Sequence, residues 1–200
     1  MPRPSLTSTR RALLALLPAA ALALAACHGG AVNDEEAARI AYLGLDRAID
    51  RAIKLGFDGY NAASNANIPD QSEPGDLSGV MIVGGKVDAG ASNNKEMTLD
   101  VTLKDNYADG PIEGLDVVYN GGPISLDLSL KGLPGADITG TFSGAFAMGG
   151  DLAGNLALDL AITGMTEEAP DGTIRRKAGT IHVVGTATSD YGVYDVNVSL

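Results

Sequence analysis

Two hydrophobic periods divide the chain. Between Asn33 and Phe57, Ala41, Leu45, Ile49, Ile53 and Phe57 recur at four-residue intervals and join Tyr42 and Ala52 in one stripe. That spacing predicts an amphipathic helix packed on a core. Arg39, Arg47, Asp50 and Arg51 fall on the opposite side and are expected to face solvent. Asn33 followed three residues later by Glu36 is a capping-box spacing. Acids crowd the first turn, and Arg51 and Lys54 lie towards the other end, as the helix dipole favours. Gly56 is the expected residue just past the helix end. Asp58 to Asp76 is rich in Asn, Ser and Pro and shows no period, so a polar loop is expected there, either mobile or functional.

Beyond it the period becomes two. Met97, Leu99, Val101 and Leu103 alternate with Thr98, Asp100 and Thr102; Ile124, Leu126, Leu128 and Leu130 alternate with Ser125, Asp127 and Ser129. The same alternation runs through Leu156, Leu158, Leu160 and Ile162, and closes the chain at Tyr194, Val196, Val198 and Leu200. Turn signals such as "YNGG", "LPGAD", "MGGD" and "APDG" separate these runs. The pattern predicts an α+β, mainly β fold: one helix covering the apolar face of an antiparallel meander of about eight strands. Gly140, Gly144, Gly154 and Gly164 fall on the apolar parity, where glycine permits tight curvature or close approach. A strongly curved sheet, or a barrel-like closure, is therefore expected.

The chain opens "MPRPSLTSTRRALLALLPAAALALAAC". Arg3, Arg10 and Arg11 precede an apolar run from Ala12 to Ala26. A basic start and a short apolar run ending in small residues mark a secretory signal peptide. At about 15 residues the run falls short of the roughly 20 that a transmembrane helix needs. Leu24-Ala25-Ala26-Cys27 resembles the lipobox of bacterial lipoproteins. The resemblance implies cleavage before Cys27, diacylation of its thiol and acylation of the new amine. Two acyl chains anchor stably, at about 0.8 kcal/mol per buried CH₂. Cys27 is the only cysteine, so redox pairing or a cysteine-based metal site has no second partner within the chain. In the sorting rule that goes with the resemblance, Asp after the lipidated cysteine retains the protein at the inner membrane. His28 stands there, which implies the outer membrane, facing periplasm or cell surface. "TRRALL", Thr9 to Leu14, is also similar to a twin-arginine export signal.

Domain boundaries follow: residues 1–26 a signal peptide, 27–32 a lipid-anchored tether, 33–57 the helix, 58–76 the loop, and 77–200 the sheet, forming one domain with the helix. Fully extended, His28 to Val32 reach roughly 17–18 Å, which expects the domain to sit near the membrane surface. Removing residues 1–26 takes three of the 14 basic residues and none of the 25 acidic ones, moving the formal charge from −11 to −14. Such a surface repels nucleic-acid phosphates and anionic lipids.

Catalytic groups are scarce. His182, in "TIHVVG", falls on the polar parity; no G-x-S-x-G elbow, P-loop or dinucleotide fingerprint occurs. With two histidines in all, a zinc site is not expected. Glu167 and Glu168 belong to an expected hairpin loop. One stretch offers calcium ligands. "DNYADGPIEGLD", Asp105 to Asp116, resembles the EF-hand loop at Asp105, Asp109, Gly110, Ile112, Glu113 and Asp116, and departs from it at Tyr107 and in ending on Asp. The candidate ligands are Asp105, Asp109, Glu113 and Asp116.

These features lead to the expectation of a lipid-anchored, non-catalytic cell-envelope protein with a structural or adaptor role and an envelope-protein partner. The alternative is a carrier of a lipid or other amphiphile in a cavity between sheet and helix, similar in architecture to periplasmic lipoprotein-carrier half-barrels. A third architecture is a transmembrane barrel, for which aromatic girdles are missing.

Overall fold

The computed structural model describes residues 33–200; the signal segment, Cys27 and the tether lie outside the described residues. The helical stretch is two helices, α1 (Asp34–Leu43) and α2 (Asp46–Ala62), where the sequence predicts one ending near Phe57. Asn33 caps α1, its Oδ1 accepting from the Glu36 amide at 2.9 Å, while the Glu36 carboxylate turns to Arg39 rather than completing the capping box. The break has a specific cause in a buried tyrosine. The Tyr119 hydroxyl donates to the Ala41 carbonyl at 2.7 Å, the oxygen to which the Leu45 amide would bond in an unbroken helix. The Leu45 amide bonds to Tyr42 O instead, at 2.8 Å. Gly44 permits this approach, because the Tyr119 hydroxyl occupies the place of a Cβ there. A side chain inserted into the hydrogen-bond ladder thus splits the helix.

Gly56 does not end the helix. It lies inside α2, where the Leu99 side chain fills the space a Cβ would need. The expected loop 58–76 is also corrected. Its first residues extend α2 to Ala62, and most of the remainder is a strand, β1 (Asn67–Pro74).

The sheet continues with β2 (Ser78–Val87), β3 (Asn94–Ala108), β4 (Val117–Lys131), β5 (Asp137–Gly150), β6 (Gly154–Glu168), β7 (Ile174–Arg176), β8 (His182–Ser189) and β9 (Gly192–Ser199). All pairings are antiparallel, in the order β1-β2-β3-β4-β5-β6-β8-β9, with β7 paired to β6 off this path. It is the expected curved meander, and it does not close: β1 and β9 each pair on one side only.

Register places the apolar parity of every long strand in continuous rows. One row runs Leu99, Leu126, Phe142, Leu160, Gly185, Val196. Where glycine enters these rows a neighbour takes the space: the Leu128 side chain approaches Gly140, and Ile124 approaches Gly144. The helices complete the core. Leu45, Ile49, Ile53 and Phe57 are buried with Met81, Leu99 and Leu103. Contacts of α2 with β1, β2 and β7, and of α1 with β8 and β9, carry the helix pair across the opening between the two sheet edges. The alternate parity, including Thr98, Asp100, Thr139 and Thr141, is exposed. Apolar inside and polar outside is the reverse of a transmembrane barrel. No described helix is long and apolar enough to cross a membrane.

Candidate functional site

The four candidate calcium ligands do not converge. Asp105 and Asn106 take left-handed backbone conformations, at φ 58° and 59°, within β3. There Asn106 exchanges hydrogen bonds with Asn120. Asp109 turns inward onto Arg51 at 2.8 Å, whereas Glu113 pairs with Arg39 on α1. Asp116 opens the approach to β4, its amide donating to Asp151 at 2.9 Å. Two of the four carboxylates are thus neutralised by different arginines. Among the described residues no group of three or more His, Cys, Asp or Glu side chains is placed to hold a metal ion.

The densest polar cluster is centred on Arg51. Its side chain is only 12% exposed, and the Asp109 side chain only 6%, which corrects the solvent-facing placement of this arginine. Arg51 Nη1 donates to Asp109 Oδ1 and to the Pro74 carbonyl, both at 2.8 Å, and to the Tyr107 hydroxyl at 3.1 Å. Nη2 donates to Asp76 Oδ1 at 2.9 Å, and Nε faces Glu73 at 3.3 Å. Asp109 in turn accepts from the Tyr107 hydroxyl at 2.8 Å and the Asp76 amide at 3.1 Å. One guanidinium therefore ties α2 to β1, to the turn after it and to the end of β3. Burial, then the hydrogen bond with Asp109, holds the Tyr107 phenol well above its usual range. The carboxylates of the cluster are engaged by Arg51, by the Tyr107 hydroxyl and by the Asp76 amide.

Around it runs a surface groove of ≈ 390 Å³, bounded by Arg47, Asp50, Lys54, Glu73 and Leu200. Most of the charges lining it are paired, Lys54 with Asp58 and Glu73, Arg47 with Asp76, and Asp50 with Arg176, whereas Asp46, which also lines it, is in no ion pair among the described residues. Arg176 also ties β7 to α2, helped by Asn61, whose amide group both donates to and accepts from the Ile174 backbone. Glu167 pairs with Arg175 across the same hairpin, at 2.7 Å.

Tyr42, stacked on Tyr194 with centroids 5.5 Å apart, marks a second buried polar spot. Its hydroxyl stands near the Asp46 carboxylate but outside hydrogen-bond geometry. Tyr42 Oη and Asp46 Oδ1 have no hydrogen-bond partner among the described residues. Burial raises the Asp46 carboxyl above its ordinary value, against an opposing pull from the Tyr42 hydroxyl. His182 lies on the outer face, with Nδ1 3.3 Å from Ser199 Oγ; no hydrogen bond among the described residues joins it to a carboxylate.

Between helices and sheet, the region bounded by Leu45, Ile49, Met81, Val101, Phe142 and Phe146 has ≈ 0 Å³ of space for water-sized occupants. It is packed as an interior, not hollowed as a pocket. The polar groups identified in the structure and unforeseen in the sequence are Arg51, Tyr107, Asp76 and Glu73. In the sequence Arg51 is only one of several charges on the polar side of the helix, beside Arg47 and Asp50, and nothing there sets it apart from them. Comparison with protein-family models, with curated proteins and with solved structures finds no match to this chain.

Proposed function

We propose that this protein is a lipid-anchored, non-catalytic component of the bacterial cell envelope, held at the outer membrane by Cys27 and acting as a structural or adaptor module. The observation that carries the reading is the closed space between α2 and the sheet around Leu45, Ile49, Met81, Val101, Phe142 and Phe146. An amphiphile carrier needs an apolar space for an acyl chain, and the space between Leu45, Ile49 and Phe142 holds side chains instead. The arginine-saturated cluster around Arg51 supports the non-catalytic part, since its groups bond to one another. Anchoring rests on the sequence Leu24-Ala25-Ala26-Cys27 after a basic and apolar prefix.

Two measurements test it. Cells expressing the full chain are labelled with an alkyne analogue of palmitate. Label in the membrane fraction that Cys27→Ser abolishes is expected, and label that persists in this variant overturns the anchor. Native mass spectrometry of the purified protein is expected to show the acylated chain alone. A releasable lipid bound at one per chain would instead establish the carrier.

A further inference from the structure

The two open edges of the sheet differ in a way that points to a partner. At β1 the edge is blunted. Pro69 and Pro74 lack an amide proton, and the register slips between Ile68 and Gln71. The Gln71 side chain donates to the Pro69 and Asp70 carbonyls at 3.1 and 3.2 Å, and Arg51 donates to Pro74 O. Prolines, bulges and charges are how natural sheets prevent edge pairing.

At β9, "GVYDVNVS", neither proline nor bulge is present. Its pairing with β8 is regular over its whole length, and Asp195 is its one charge. The Leu200 amide bonds to Ile181 O at 2.9 Å. By the alternation of an antiparallel ladder, Val198, Val196 and Tyr194 then address β8, while Val193, Asp195, Asn197 and Ser199 turn their N–H and C=O groups outward. Those outward groups have no hydrogen-bond partner among the described residues. Val193, Asp195, Asn197 and Ser199 are all exposed residues, which leaves these outward groups accessible to another strand.

We propose that β9 pairs edge to edge with β9 of a second copy, antiparallel and centred on Val196. This goes beyond the structural role proposed above and does not depend on lipidation. The sequence selects that register. With Val196 on the two-fold axis, Asp195 lies opposite the second copy's Asn197, and Val193 opposite Ser199. No like charges meet, and the Asn197 amide can donate to the facing carboxylate. Centring the axis on Asp195 instead sets two carboxylates against each other, which is destabilising. The Val196 register uses all four outward residues of each strand, giving about eight main-chain hydrogen bonds. Tyr194 stacks on Tyr42 of α1, so α1 lies on the core side of β9. A two-fold axis normal to the sheet keeps α1 of both copies on that same side.

The test uses the full chain purified in detergent, with mass read by light scattering after size exclusion. The expected result is a dimer. Asn197→Pro removes an outward amide proton and no bond to β8, so its monomer should keep the wild-type circular dichroism and lose dimerisation. Asn197→Asp sets two carboxylate pairs against each other and should weaken the dimer about tenfold; Asn197→Lys faces Asp195 and should tighten it. If the proline variant unfolds, the opposite responses of the aspartate and lysine variants decide the matter. A wild-type monomer at every concentration, a dimer indifferent to the proline, or equal effects of aspartate and lysine would each overturn the proposal.

Discussion

Replacing Arg51 with methionine keeps most of the side-chain stem and removes the charge. Asp109, whose side chain is 6% exposed beside Arg51, would then keep only the Tyr107 hydroxyl and the Asp76 amide as donors. Breaking a buried ion pair on one side costs about 3–5 kcal/mol, because a desolvated charge is left without compensation. At about 2–4 °C per kcal/mol for a domain of this size, Arg51→Met should lower the thermal midpoint by roughly 6–20 °C. Asp109→Asn should cost less, about 1–3 kcal/mol, because Arg51 retains Asp76 and Glu73. Adding Asp109→Leu to Arg51→Met removes both buried charges and should recover part of the loss. Arg47→Ala is the control. Its side chain is 73% exposed, its partner Asp76 55%, and they lie 3.6 Å apart, so its effect should stay within about 0.5 kcal/mol. Urea unfolding of all four variants makes the comparison. A loss at Arg51 no larger than that at Arg47 would refute the claim that burial makes this cluster structural.

Two further outcomes follow from buried polar groups. Tyr119→Phe removes the hydroxyl that holds Ala41 O and should cost about 1–2 kcal/mol; an unchanged urea midpoint would show that the helix break does not depend on this bond. Burial raises the Asp46 carboxyl above its ordinary 3.8, so the folded chain holds that proton more tightly than the unfolded chain. The resulting stabilisation is complete below pH 3.8 and is lost as pH rises through the folded value. Asp46→Asn should therefore gain on the wild type from mildly acidic to neutral pH and lose that advantage in acid. An offset independent of pH would sink the assignment.

The β architecture was legible because its information is local. A period of two names the buried face of each strand without knowledge of its neighbour, and the rows through Leu99, Leu126, Phe142 and Leu160 realise that face. The errors came where a distant residue overrides a local pattern. The stripe from Ala41 to Phe57 is continuous across Gly44, and only Tyr119, 78 positions from Ala41, explains why two helices stand there. β1 was hidden for a related reason. Its prolines, Gln71 and acids are poor strand formers taken alone, and they are the residues that suit an edge strand meant to pair on one side only.

The same logic separates Arg51 from Arg47. Both occupy the polar arc of α2, and helical periodicity cannot rank them. The difference arises 23 to 58 positions away, where Pro74 O, Asp76 and Asp109 close over one guanidinium and leave the other in solvent. Asp109 was visible as a carboxylate in an acidic loop, and calcium was a reasonable partner for it on sequence grounds alone. The fold supplies a cation from its own chain instead. What the acidic loop lends the molecule is thus a lock between helix and sheet at the β1 end, where proline and bulge already block edge pairing. That leaves the regular β9 edge as the place where this sheet can grow.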